Sequence, residues 1–195
     1  MADLNIRKGH DIRIAGVPSN EVQKGYQPKF VAIQPTDFRG LKPKLCVKEG
    51  DSVKLGSALF SCKTNPEVSY PSPGGGKVTS IQYGPRRVIE KIIIELAEKE
   101  ELESFKIFRS AEIPKLDREK VLSALLNGNM FPFIRQRPFN KVANPDERPR
   151  DIYISGWNTA PLSVNLDVAL RRRLSQFQTG INVLQKLTNG QDRKS

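Results

Sequence analysis

Through the first half of the chain, apolar residues come in short runs rather than long stripes. Between residues 41 and 96 these runs are Leu45-Cys46-Val47, Ser57-Ala58-Leu59-Phe60, Glu67-Val68-Ser69-Tyr70, Lys77-Val78-Thr79-Ser80-Ile81 and the β-branched stretch from Val88 to Leu96. They recur at intervals of roughly 8–12 residues, the rhythm of a small antiparallel sandwich or barrel. Turn chemistry separates them: Lys48-Glu49-Gly50-Asp51, the tip Cys62-Lys63-Thr64-Asn65-Pro66, and Pro71-Ser72-Pro73-Gly74-Gly75-Gly76. Glycine, proline and aspartate at these places bend the backbone at little cost. Residues 1–40 add two strand-like runs, Asp11 to Ala15 and Lys29-Phe30-Val31-Ala32-Ile33, set between the turn signals Lys8-Gly9, Ala15-Gly16, Val17-Pro18 and Arg39-Gly40.

Beyond residue 96 the pattern changes. Residues 97–110 read as an acidic, then mixed, connector, and the domain boundary is placed there. Asp117 is an N-cap candidate for a helix to about Leu126, with Val121, Leu122, Leu125 and Leu126 at helical spacing and Asn127-Gly128 to end it. Residues 131–150 are a proline-punctuated arm without regular structure, and Asp151-Ile152-Tyr153-Ile154-Ser155-Gly156 reads as a strand. A second helix is expected from about Asn165 to Thr188, its apolar face formed by Leu166, Leu170, Leu174, Phe177, Ile181, Leu184 and Leu187. One strand with one helix cannot bury both faces of a sheet, so residues 111–195 read as an incomplete α/β, Rossmann-like domain and the chain as a fragment. The expected fold is α+β: a β-rich segment 1–40, a barrel-sandwich domain 41–96, the connector, and the incomplete α/β domain carrying the arm.

The 195 residues carry a formal net charge of +11, which raises the question of nucleic acid. The excess is diffuse: 16 basic against 11 acidic residues in 1–100, 5 against 5 in 101–134, and 11 against 5 in 135–195. Such a distribution suits anionic lipid or an acidic partner as well as a nucleic acid. Apart from Arg171-Arg172-Arg173, read as a solvated helix face, no arginine cluster stands out, and no nucleic acid is expected. No apolar run approaches the ~18 residues of a membrane span, and the first residues lack a signal peptide's apolar stretch. Cys46 and Cys62 fit a reducing compartment and do not make up a zinc site. With His10 the only histidine, a metal cluster or histidine triad is not expected. Gly74-Gly75-Gly76-Lys77 lacks the spacing of a phosphate-binding loop, and Val78 stands where that loop needs a hydroxyl. No dinucleotide-binding glycine fingerprint is present.

Glu49-Gly50-Asp51-Ser52-Val53-Lys54-Leu55-Gly56 fits the E-G-D-x-V-x-x-G turn of biotinyl and lipoyl domains. Lys63, then Glu67-Val68, then Pro71 and a glycine-rich turn before Val78 are spaced as lipoyl domains space their modified lysine and the elements after it. A more specific resemblance runs through most of the chain. Lys8-Gly9-His10-Asp11-Ile12-Arg13-Ile14-Ala15-Gly16, Lys63-Thr64-Asn65-Pro66, Arg135-Gln136-Arg137-Pro138-Phe139-Asn140-Lys141-Val142 and Asn158-Thr159-Ala160-Pro161-Leu162 resemble, in order, four motifs of the A-subunit family of sodium-translocating NADH:quinone oxidoreductases. His10 and Arg13 depart from that family's leucine and proline, and Gly156-Trp157-Asn158 departs from its small-residue-plus-aspartate pattern. The resemblance implies a peripheral subunit on the cytoplasmic face of the bacterial inner membrane, packed on other subunits and above all on a membrane-embedded one. It implies no cofactor bound by this chain, within a complex that uses NADH, flavins and ubiquinone and exports sodium ions.

Two places invite a functional reading. Lys63 occupies the lipoyl position, and the rival function is a free-standing carrier domain modified there. Biotin and lipoyl sites read M-K-M and D-K-A, whereas this one is Cys62-Lys63-Thr64 with a stiffening Pro66, so Lys63 is expected to be unmodified. Cys62 has no resolving cysteine near it in sequence, which disfavours a redox thiol. The second place is the arm, where Phe133, Arg135, Arg137, Pro138 and Phe139 mix apolar faces with guanidinium donors. These five are candidate contacts for ubiquinone or for another protein of the complex; an interdomain strap is the plainer alternative. No catalytic residue is assigned. A basic nucleic-acid-binding β module, which would need stacking aromatics among its cations, is a third reading.

Overall fold

A computed structural model describes residues 9, 12, 14–156 and 160–190. Lys8, His10, Asp11 and Arg13 of the opening motif and Asn158-Thr159 of the last motif lie outside these; Ile12, Ile14 and Ala15, the described residues of the strand expected at Asp11 to Ala15, are not in a strand. The chain divides into two compact units, one of Tyr26–Ile152 with Asn182–Ser195, the other of Met1–Gly25 with Tyr153–Ile181.

The larger unit is built on seven strands: β1 (Phe30–Ile33), β2 (Pro43–Leu45), β3 (Ser52–Val53), β4 (Ala58–Cys62), β5 (Ser69–Pro71), β6 (Gly76–Tyr83) and β7 (Ile89–Leu96). They form a four-stranded sheet in the order β1-β7-β6-β3 and a three-stranded sheet β2-β4-β5, with every pairing antiparallel. One core lies between the sheets. Val78, Ile81, Ile92 and Ile94 enter it from β6 and β7, and Leu59, Phe60 and Tyr70 from β4 and β5. Each such apolar side chain contributes roughly 1.5–3 kcal/mol on burial. This is the barrel-sandwich expected from the short apolar runs.

The Glu49–Val53 turn shows why its residue types recur. Gly50 has φ +92, a conformation that side-chain-bearing residues resist, and its amide donates to Val78 O at 2.8 Å. Asp51 accepts from the Lys48 amide at 2.9 Å, and Glu49 accepts from the Ile81 amide at 2.6 Å. Val53 is buried in the core. The turn therefore clamps the first half of the barrel onto β6.

After β7 the connector does not leave the barrel at once. The Leu55 amide donates to Glu101 O at 2.8 Å, the Glu103 amide donates to Leu55 O at 2.9 Å, and Leu55 and Leu102 form a parallel bridge. Ser57 Oγ donates to Glu103 Oε2 at 2.7 Å, and the Gly75 amide to Glu100 Oε1 at 2.9 Å. Residues 100–103 thus run along the edge that β3 opens.

Helix α1 (Arg118–Asn127) begins where Asp117 predicts, with the Asp117 carboxylate accepting from the Lys120 amide at 2.8 Å. That hydrogen bond, helped by the Lys120 side chain, lowers the Asp117 pKa. Gly128 ends the helix.

Three sequence expectations are corrected. Residues 131–150 do contain regular structure: a 3-10 turn at Phe131–Phe133, then a hairpin of β8 (Arg135–Gln136) and β9 (Lys141–Val142). No strand forms at 151–156, where Tyr153 is 87% exposed; no strand among the described residues pairs with this segment, and an extended segment without a partner gains no ladder bonds. The long helix expected from Asn165 is two, α2 (Leu166–Leu170) and α3 (Leu174–Gln185). At the arginine run the Arg173 amide bonds to Leu170 O, three residues back instead of four, and this tight turn interrupts the α-helical ladder. Asn165 caps α2 through the Asp167 amide.

Candidate functional site

Phe60 and Tyr70, on neighbouring strands, stack with ring centroids 4.6 Å apart, and Phe38 meets Tyr70 edge-on at 4.6 Å. The Arg135 guanidinium from β8 stands 4.9 Å over the Phe38 ring, a favourable place for a cation against a ring quadrupole. The hairpin is therefore seated on an aromatic column that reaches the barrel core. Phe38 was not singled out from sequence; a lone aromatic in a turn carries no periodic signal.

The arm is anchored on both sides of that contact. Phe131 is 4% exposed and belongs to the barrel core, with Ile134, Val142 and Ala143 packed against it. Arg118 Nη2 donates to Pro145 O at 3.2 Å and Glu147 O at 3.1 Å, and Asn129 Nδ2 donates to Gly56 O at 3.0 Å. The outward side is different. Phe133 and Phe139 are 63% and 60% exposed, and Arg135, Arg137 and Pro138 are exposed as well. The Lys141 ammonium lies 5.9 Å from the Phe139 ring. Of the five arm residues expected to contact a ligand or partner, Arg135 reaches the barrel through Phe38. Phe133, Arg137, Pro138 and Phe139 are exposed.

Lys63 lies at an exposed tip between β4 and β5. That tip is held: the Lys63 amide donates to Lys42 O at 2.8 Å, the Cys62 amide to Val68 O at 3.0 Å, and the Val68 amide to Asn65 O at 3.0 Å. Asn65 Nδ2 also reaches Asn144 Oδ1 of the arm at 3.5 Å. Cys62 Sγ lies 3.0 Å from Thr64 Oγ1. Burial raises the thiol pKa, but bonds from the Thr64 hydroxyl and neighbouring backbone outweigh it and leave the pKa lowered. Among the described residues no group of three or more His, Cys, Asp or Glu gathers as a metal site would require.

Tyr70, 1% exposed, has its phenol pKa pushed up from 10.0 to about 12, first by burial and then by Cys62, against an opposing pull from Arg135. The folded state therefore favours the neutral phenol. This stability is fully present below pH ~10 and is lost as pH rises through about 12, a loss on the order of 2–3 kcal/mol. Urea midpoints should fall more steeply across that window for the wild-type chain than for Tyr70→Phe. Parallel curves would exclude the linkage.

The family model described as the NqrA N-terminal barrel-sandwich hybrid domain matches residues 4–97, and that of the NqrA second alpha/beta domain matches residues 116–193. The chain is similar to proteins named as the A-subunit of Na(+)-translocating NADH-quinone reductase. That of Alcanivorax borkumensis is 36% identical over 187 residues and that of Yersinia pseudotuberculosis 37% over 187 residues. That of Serratia proteamaculans is 38% identical over 189 residues. Each alignment covers 96% of this chain and 42% of the relative, so the chain spans about two fifths of the length of these curated relatives.

Proposed function

The chain belongs to the A-subunit family of Na(+)-translocating NADH-quinone reductase, and from that premise we propose that it is a cofactor-free scaffold segment of a respiratory complex. The complex couples NADH oxidation and ubiquinone reduction to sodium export. NADH and flavins serve elsewhere in it, and this chain is non-catalytic by itself. It sits peripherally on the cytoplasmic face of the bacterial inner membrane, packed on a membrane-embedded neighbour. No helix among the described residues is long and apolar enough to cross a bilayer. Its working division is the β-rich segment 1–40, the barrel-sandwich 41–96, the connector 97–110 and the α/β portion 111–195.

The observation that carries the scaffold reading is the tethered tip. A lysine used as a swinging arm needs a tip free to enter other active sites. Here Lys63 is bonded to Lys42, and its neighbour Asn65 to the arm. Intact mass of the chain isolated from its native host should show no lipoyl or biotinyl increment on the Lys63 peptide, and membrane co-purification should recover the other subunits. A modified Lys63 would replace this reading with the carrier domain.

Within the scaffold the hairpin is the outward contact, on the quinone side of the complex. Phe133, Arg135, Arg137, Pro138 and Phe139 supply apolar area and fixed donors for a carbonyl or carboxylate. Replacing Arg137 and Phe139 together with alanine should lower quinone turnover or assembly about tenfold, the scale of a contact hot spot. The isolated chain should melt as wild type, because both side chains are exposed and outside the core. Unchanged turnover, inhibitor sensitivity and assembly in that double variant would reduce the hairpin to a strap.

A further inference from the structure

Three segments far apart in sequence lie side by side at one border of the barrel. Arg135 stands over Phe38. The Lys141 side chain passes Gly40, where an added Cβ would sit 3.4 Å from Lys141 Cε. The Lys63 amide bonds to Lys42 O, and Asn65 reaches Asn144. Residues 38–42, 62–65 and 133–144 together contain Arg39, Lys42, Lys63, Arg135, Arg137 and Lys141 and no aspartate or glutamate. All six cations are exposed, and among the described residues no ion pair draws on any of them. Carboxylates begin just outside, at Asp37, Glu67, Asp146 and Glu147. Both oxygens of Glu147 already accept bonds, from Gln136 at 2.8 Å and Asn144 at 3.3 Å. Two large rings stand in water on this border, Phe133 at the start of the hairpin and Phe139 on its turn.

Cations gathered without counter-charges repel one another and attract an anionic surface. Exposed rings on a projecting hairpin gain by entering a less polar layer. A layer of anionic lipid headgroups meets both demands together: basic side chains meet the phosphates while aromatic rings sit at headgroup depth. A protein partner would have to offer a cavity for each ring and a carboxylate for each cation at fixed places. Headgroups rearrange to fit. We infer that this border of the barrel docks on a bilayer surface bearing anionic lipid, with Phe133 and Phe139 seated among the headgroups. The inference deepens the reading of the hairpin as an outward contact and rests on it.

Sedimentation of the full chain with vesicles tests it. Phosphatidylglycerol-containing phosphatidylcholine vesicles should bind the chain, pure phosphatidylcholine vesicles should not, and added salt should release it. Neutralising Arg137 and Lys141 to glutamine should lower the partition about 25-fold, taking about fivefold per cation. Phe139→Ala should lower it with the charge intact. Arg171→Gln with Arg172→Gln removes the same charge from the smaller unit and should leave the partition unchanged. Circular dichroism and thermal melting identify any variant that has lost its fold. Equal binding to both vesicle types, or equal weakening by the two arginine-containing pairs, would overturn the assignment. So would retention on polyglutamate with no vesicle binding, which would point to an acidic protein partner. The scaffold reading is judged separately, by the mass of Lys63 and by co-purification, and survives a negative vesicle result.

Discussion

Phe131→Ala is expected to destabilise the larger unit by about 3–5 kcal/mol, the scale for truncating a buried phenylalanine. Its ring is 4% exposed inside the same core as Leu59, Phe60, Tyr70 and Ile94, although it belongs to the arm. Leu122, Leu125 and Leu126 of α1 and Ile134 and Val142 of the hairpin pack against that cluster too. Removing the ring leaves a void where helix, hairpin and sheets meet, with no single element free to collapse into it. Urea unfolding should show a large fall in midpoint, and amide exchange should accelerate in the barrel and the arm together. A loss under about 1 kcal/mol, or faster exchange confined to the arm, would mean that the arm is only loosely attached.

Gly76→Val should be at least as damaging. Gly76 opens β6, opposite Val53 on β3 and Leu96 on β7. A Cβ there would collide with the Glu95 carbonyl and come within 3.0 Å of the Ala97 amide nitrogen. These are backbone atoms of the paired strand, so no side-chain rotation relieves the overlap and the β6–β7 ladder must shift. The expected outcome is a chain that fails to accumulate as soluble protein, or one destabilised by about 3 kcal/mol or more. Gly25, with nothing within 4 Å of its Cβ position, serves as the control and should accept alanine with little change. Normal yield and melting of Gly76→Val would show that the strand pair yields more easily than its geometry implies.

What could be read in advance followed the range of the forces involved. The barrel strands were legible because alternation and turn residues act locally, and the Glu49–Val53 turn because Glu49, Gly50 and Asp51 each meet a backbone demand. Their ends were not: β2 stops at Leu45, although the Cys46 amide still bonds to Leu59 O at 2.9 Å. The helix from Asp117 was legible because a cap and an apolar spacing coincide. The arm was misjudged because prolines suggest irregular chain, whereas its order comes from Phe131 and Arg135 meeting residues more than fifty positions earlier. Residues 151–156 erred in the other direction, since alternation suffices to suggest a strand but cannot supply a neighbour. The candidate contact residues were nameable from composition. That one of them, Arg135, stands over an aromatic column was visible only once Phe38 and Tyr70 had been placed.

The backbone bonds between Leu55 and residues 101 and 103 bear on how the protein behaves in a crowded cell. β3 is the last strand of its sheet, and such a border, left bare, offers unpaired amides and carbonyls to any extended chain nearby. At Leu55, just past β3, both backbone groups are already engaged by the molecule's own return segment. Because that cover is tethered, its hold does not weaken on dilution or strengthen on concentration. A nascent copy would pass through a stage, before residue 103 has emerged, in which this border is unguarded. Protection against sticking to its siblings therefore arrives only after all seven barrel strands have emerged, with a few residues that add almost nothing to the core.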